Sequence, residues 1–346
     1  MTYCIGWIYK NSVYLAADTA ATSSYKPTSE LSSFREYHAK TERGFVEESL
    51  IKIIPISNDC MVCYSGNVNL ADNLIEFLKD NYTTQNRIQE LLNSMHVSLG
   101  PFDKCTTLII AMNGENGPKL FRWETGFEPC FQGEQFYQSG SMVSYHSELT
   151  PKILTILMSG NIPEERVLPI LTGVIQSYGM HDNLIQQSIG GLIFGAYINH
   201  EGVHWQQDTS YILYAPKMTS IEYINAFVRD NAIVVNSSVT NATKCFMSRL
   251  QDLGSERWKN KWLHHIQEHI NSNNYEYWVF LSKKEKLITV VNWPSTSEKC
   301  KYVSLEYQGG GKFDLGVSPE LLTVLDKPMV DRGDGSIPFR LNYLNG

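Results

Sequence analysis

The chain opens MTYCIGWIYKNSVYLAADTAATSS, with a threonine at position 2 and an aspartate at position 18 on either side of an apolar stretch. Removal of Met1, expected before a residue as small as threonine, gives Thr2 both a hydroxyl and a free α-amine. Such an amine titrates near about 7.7–8.0, close to the optimum for a general base at neutral pH. A threonine hydroxyl becomes a useful nucleophile once a base takes its proton. One residue would then supply nucleophile and base, and the chemistry this predicts is acyl transfer.

Two further charges stand alone in apolar runs: Asp18 after Tyr14-Leu15-Ala16-Ala17, and Lys52 within Leu50-Ile51-Lys52-Ile53-Ile54. Unpaired burial of either is costly. They either pair, with Lys52 lowering the pKa of the Thr2 hydroxyl and amine, or each is solvated at a strand end. Acyl transfer also needs a donor for the oxyanion. Ser65-Gly66-Asn67 sits where a strand gives way to a helix, and the Gly66 N–H is the candidate; the alternative is a tight turn with no ligand.

These groups need a hairpin to bring them together. Residues 2–9 and 13–18 read as strands joined by Lys10-Asn11-Ser12. A three-residue loop pairs Tyr9 with Val13 and Cys4 with Asp18, placing Thr2, Cys4 and Asp18 on one face; a two-residue loop would move Asp18 to the other. Residues 22–48 are polar and poorly periodic and read as a long loop. Apolar spacing predicts helices over 69–82 and 87–99, and helices also fill 144–159 and 164–178. Strands are expected over 50–56, 59–65, 106–112, 119–123, 135–138, 191–199 and 204–214. Beyond Pro216 the pattern changes, with a helix over 255–271, a hairpin over 275–291 and a strand over 302–307.

Taken in order, these residues resemble the β-subunit of a proteasome, an N-terminal nucleophile hydrolase, and among those the bacterial Anbu and HslV-type relatives. Thr2, Ala16-Ala17-Asp18 and Lys52-Ile53 match that family's nucleophile, aspartate and lysine. Ser65-Gly66-Asn67 matches its oxyanion glycine. The resemblance implies that Ala21 and Thr22 line a peptide cleft and that Ser139, in Ser139-Gly140-Ser141, supports the terminal amine. It assigns Asp182 and Ser188 supporting places, at altered spacing. It implies an α+β fold, a four-layer αββα sandwich over residues 1–215, with a smaller α+β extension over 216–346 that ordinary subunits lack. The expected activity is a threonine peptidase needing no cofactor or metal and acting on a peptide or protein, with a ring or helical homo-oligomer and an ATPase as possible partners. A proteasome-related transpeptidase or protein ligase, and a non-catalytic scaffold subunit, are the alternatives.

Bulk properties fit this reading. The net charge of −7 argues against a broad nucleic-acid surface, and no run approaches the roughly 20 apolar residues of a membrane span. Residues 1–9 lack the cationic start and apolar run of a secretory leader. Seven scattered cysteines suit reduced thiols in a cytoplasm. One rival constellation remains: His265-Ile266-Gln267-Glu268-His269 has the spacing of an inverted zinc-protease motif, with His265 and His269 as ligands and Glu268 as base.

Overall fold

The computed structural model describes residues 2–27, 29–42, 44–98, 106–125, 135–141, 154, 162–182, 184–229, 232–246, 275–293, 300–309, 312–327 and 340–345. The fold is mixed α+β, and most strand pairs are antiparallel. Its first part comprises β1 (Tyr3–Tyr9), β2 (Ser12–Asp18), β3 (Ala20–Ser23), β4 (Ala39–Thr41), β5 (Gly44–Glu48), β6 (Ile53–Ser57), β7 (Cys60–Gly66), α1 (Val68–Asn81), α2 (Ile88–Ser98), β8 (Thr106–Gly114), β9 (Gly117–Glu124), β10 (Phe136–Gly140), α3 (Glu164–Asp182), β11 (Ile193–Asn199) and β12 (Gly202–Trp205). It continues with β13 (Thr209–Tyr214), β14 (Ile221–Arg229), β15 (Ala232–Ser237), β16 (Ala242–Phe246), β17 (Tyr277–Ser282), β18 (Leu287–Asn292), β19 (Val303–Gly309), β20 (Lys312–Val317), α4 (Pro319–Leu325) and β21 (Arg340–Asn345).

A five-stranded sheet, β10-β1-β2-β11-β12, faces a four-stranded sheet, β6-β7-β8-β9. Between them lies a core of Cys4, Val13, Leu15 and Ala17 from one sheet and Ile53, Met61, Cys63, Ile109 and Leu120 from the other. The second sheet also buries its opposite face, where Val62, Tyr64 and Ile110 meet α1 and α2. The α1 stripe Ala71, Leu74, Ile75 and Leu78 follows helical spacing. Strands β1 and β2 are buried on both faces, which is why they read as near-continuous apolar runs.

The hairpin register corrects the sequence expectation. Tyr9 pairs with Ser12 and Cys4 with Ala17, so the loop has two residues, Lys10 and Asn11. Lys10 takes φ 51°, the positive value that two-residue hairpin loops use to match strand twist. Asp18 therefore lies on the face opposite Cys4. Residues 22–48 are a second correction. They are not a long loop but complete a three-stranded sheet, β3-β5-β4, whose strands are too short and polar to show a period.

A seven-stranded sheet, β16-β15-β14-β13-β17-β18-β21, forms the second half. Strand β13, expected in the first unit, belongs to this sheet and runs parallel to β17, so the expected boundary at 215 falls within the sheet. Helix α3 lies between this sheet and the five-stranded one. Its Leu168, Leu171 and Val174 share one core with Ile5 and Phe194 on one side and with Tyr211, Val279 and Val290 on the other. A helix covered on opposite sides is apolar nearly all round. Among the described residues, no helix is long and apolar enough to cross a membrane.

Candidate functional site

Thr2 precedes β1 and is buried, at 4% exposure. Its carbonyl accepts the Ser141 N–H at 2.8 Å, fixing Thr2 against the end of β10. Gly140, opposite Tyr3 in register, has φ 114°, and a Cβ there would fall 1.5 Å from the Thr2 carbonyl oxygen. Only glycine fits that approach.

Asp18 is the centre of the site. Its Oδ1 accepts the Tyr3 N–H at 3.0 Å and the Lys52 ammonium at 2.7 Å, and its Oδ2 accepts the Gly190 N–H at 3.1 Å. The Lys52 Nζ and the Tyr3 nitrogen share one oxygen and so stand within about 6 Å of each other. The Tyr3 amide is bonded to the Thr2 carbonyl carbon, so the ammonium lies beside the Thr2 backbone. Lys52 also donates to the Ala20 carbonyl. Asp18 and Lys52 are buried, at 1% and 2% exposure, so neither is solvated at a strand end. Asp18 reaches Lys52 despite the shifted register because it closes β2, where its carboxylate accepts backbone N–H groups from the chains on either side.

Ser139 is buried on β10, opposite Cys4, and its Oγ lies 2.7 Å from that of Ser65 on β7. Gly66 follows Ser65, is exposed and has φ 104°. Asn67 then caps α1, its side chain accepting the Leu70 N–H at 3.0 Å. The helix N-terminus, with its partial positive charge, thus begins beside Gly66.

Ala21 and Thr22 lie on β3, an edge strand of its sheet, with Ala21 buried and Thr22 exposed. Asp182 is placed elsewhere. It ends α3 and pairs with Lys286 at 3.0 Å, at the turn between β17 and β18. Ser188 is buried with φ 64°, and its Oγ has no hydrogen-bond partner among the described residues. It belongs to the turn that delivers Gly190 to Asp18. His265, Glu268 and His269 lie outside the described residues. Among the described residues, no group of three or more His, Cys, Asp or Glu is placed to hold a metal ion.

Sequence reasoning missed two buried acids of the 22–48 segment. Glu48 accepts the Ser33 N–H and Oγ–H, each at 2.7 Å to its Oε2, and pairs with Lys244 of β16 at 2.9 Å. Glu36 Oε2 accepts the Gly191 N–H at 2.8 Å and the Ser32 hydroxyl at 2.9 Å. Burial pushes the Glu36 carboxyl up to about 8; the Gly191 and Ser32 hydrogen bonds oppose this, and the charges of Glu48 and Asp18 reinforce it.

No protein-family model matches the chain, and no curated protein matches it in sequence.

Proposed function

We propose that this chain is an N-terminal threonine peptidase of the proteasome β-subunit type, built on a four-layer αββα sandwich. The observation that carries the reading is the buried Asp18 carboxylate, which joins the Lys52 ammonium and the Tyr3 N–H beside Thr2. With Met1 removed, the Thr2 hydroxyl attacks a peptide carbonyl while its α-amine takes the hydroxyl proton. The Lys52 ammonium favours the deprotonated states of both groups, and Asp18 holds Lys52 in place. The N–H of Gly66, an exposed residue that ends β7 just before α1, stabilises the oxyanion. The amine returns its proton to the leaving nitrogen, and water then releases the acyl-ester from Thr2. The edge of β3 offers Ala21 and Thr22 as backbone partners for an extended peptide.

The test is intact mass after incubation with a peptide epoxyketone, a reagent that bonds to both hydroxyl and amine of an N-terminal threonine. The expected result is a single adduct mapping to a Met-free N-terminal peptide and abolished by Thr2→Ala. Retention of Met1 in active protein, or labelling unchanged in Thr2→Ala, would refute the proposal.

A further inference from the structure

Four consecutive backbone N–H groups lead into β11, and each is bound by a side chain distant in sequence, two of them from the adjacent residues Asp18 and Thr19. Gly190 donates to Asp18 Oδ2 at 3.1 Å, Gly191 to Glu36 Oε2 at 2.8 Å, Leu192 to Thr19 Oγ1 at 3.0 Å and Ile193 to Gln176 Oε1 of α3 at 2.8 Å. Of the four acceptors, Glu36 alone comes from within the 22–48 segment. The fit around it is close. A Cβ on Gly190 would sit 2.7 Å from Glu36 Oε1, and Gly191 has φ 71°. The turn that carries Glu36 is itself fixed, since Ser32 N–H donates to the Glu36 carbonyl at 2.8 Å and Phe34 packs edge-on against Tyr211 at 5.2 Å.

We propose that Glu36 is a positioning residue for the Thr2 site: by holding the Gly191 N–H it fixes the preceding amide, Gly190, on Asp18, and so keeps Asp18 aimed at Lys52. This rests on the threonine-peptidase reading. Among the described residues Glu36 hydrogen-bonds to neither Thr2 nor Lys52; it acts through two adjacent amides of one turn. Its Oε1 is buried and has no hydrogen-bond partner among the described residues, so a negative charge on that oxygen is uncompensated. The charged groups around it are Asp18 on β2 and Glu48 on β5, with Lys52 and Lys244 bound to those two. Ionisation of Glu36 adds a negative charge beside Asp18, which favours the protonated form of the Thr2 amine. The base is then withheld, so activity falls.

The experiment compares epoxyketone labelling rates of wild type, Glu36→Gln and Glu36→Ala between pH 6 and 9, together with amide exchange of residues 184–193. Glutamine keeps an acceptor for Gly191. Glu36→Gln should label within about threefold of wild type at pH 7 and lose the fall in rate near pH 8. Glu36→Ala should slow labelling at least about tenfold at saturating reagent, with half-saturation unchanged, and exchange faster at 190–191. A wild-type rate in Glu36→Ala overturns the proposal and leaves the peptidase reading intact. Should Glu36→Ala not fold, an unchanged pH profile in Glu36→Gln overturns it equally. Absence of any Thr2 adduct in wild type removes the reading beneath it, and amide exchange then separately decides whether Glu36 holds Gly191.

Discussion

Lys52 and Asp18 are each other's counter-ion in a site almost closed to water. A buried ion pair adds little net stability, but removal of one partner strands the other, at a cost of about 3–5 kcal/mol. Lys52→Met should therefore destabilise the fold by about that amount and abolish Thr2 labelling. Adding Asp18→Asn, which removes the stranded charge and keeps an acceptor oxygen for one of the Tyr3 and Gly190 amides, should recover part of the stability and none of the labelling; denaturant unfolding measures the first. Glu36 has the opposite pH signature. Its folded pKa of about 8 lies above the ordinary 4.5, so on raising pH the unfolded chain loses this proton first. Its contribution is full below about 4.5 and is lost as pH rises through about 8. Unfolding free energies should thus shift in favour of Glu36→Gln, relative to wild type, between pH 5 and 9. The charges at Asp18 and Lys52 are legible in the sequence because each interrupts an apolar run. Glu36 is not, since a glutamate among serines and charged residues is ordinary, and the backbone donors Gly190 and Gly191 carry no side-chain signal.

At the scale of elements, alternation and helical spacing reveal β1, β2, β7, β8, α1 and α3, because each carries a long apolar face or run. The three-stranded sheet of residues 20–48 is hidden: β4 has three residues, and its partner β5 mixes Gly, Phe, Val and Glu. The register of the opening hairpin is hidden too, since Lys10-Asn11-Ser12 admits loops of either length and only the φ of Lys10 decides between them. On the proposed peptidase reading, β3 is where substrate would dock. Among the described residues strand β3 pairs with β5 along one edge only, and a peptide laid along the other edge would alternate its N–H groups toward and away from β3. N-methylation of a substrate residue whose N–H faces β3 removes a hydrogen bond worth about 1 kcal/mol, and should raise KM roughly five- to tenfold with kcat little changed. Methylation one residue along should leave KM within about twofold. Peptide hydrolysis kinetics across such a series measure both, and equal effects at adjacent positions would exclude β3 as the docking edge.

At the scale of the molecule, the two halves do not divide into separate cores. One apolar cluster runs from Ile5 and Phe194 through Leu168, Leu171 and Val174 of α3 to Tyr211, Val279 and Val290. The 22–48 segment ties the halves again, through Glu48 to Lys244 at 2.9 Å and Ser237 Oγ to the Ser33 carbonyl at 2.9 Å. The sequence shows the change of pattern near Pro216 but not that β13, upstream of it, pairs with strands nearly seventy residues later; long-range pairing leaves no local mark. Because α3 contributes to both halves, neither can lose its packing without exposing the same helix. Calorimetric unfolding should therefore give one transition, and Leu213→Asp, a charge placed in the second sheet's share of the common core, should lower that single midpoint and slow Thr2 labelling together. Were the second sheet merely appended, the same variant would split the trace in two and leave the labelling rate at its wild-type value below the upper transition.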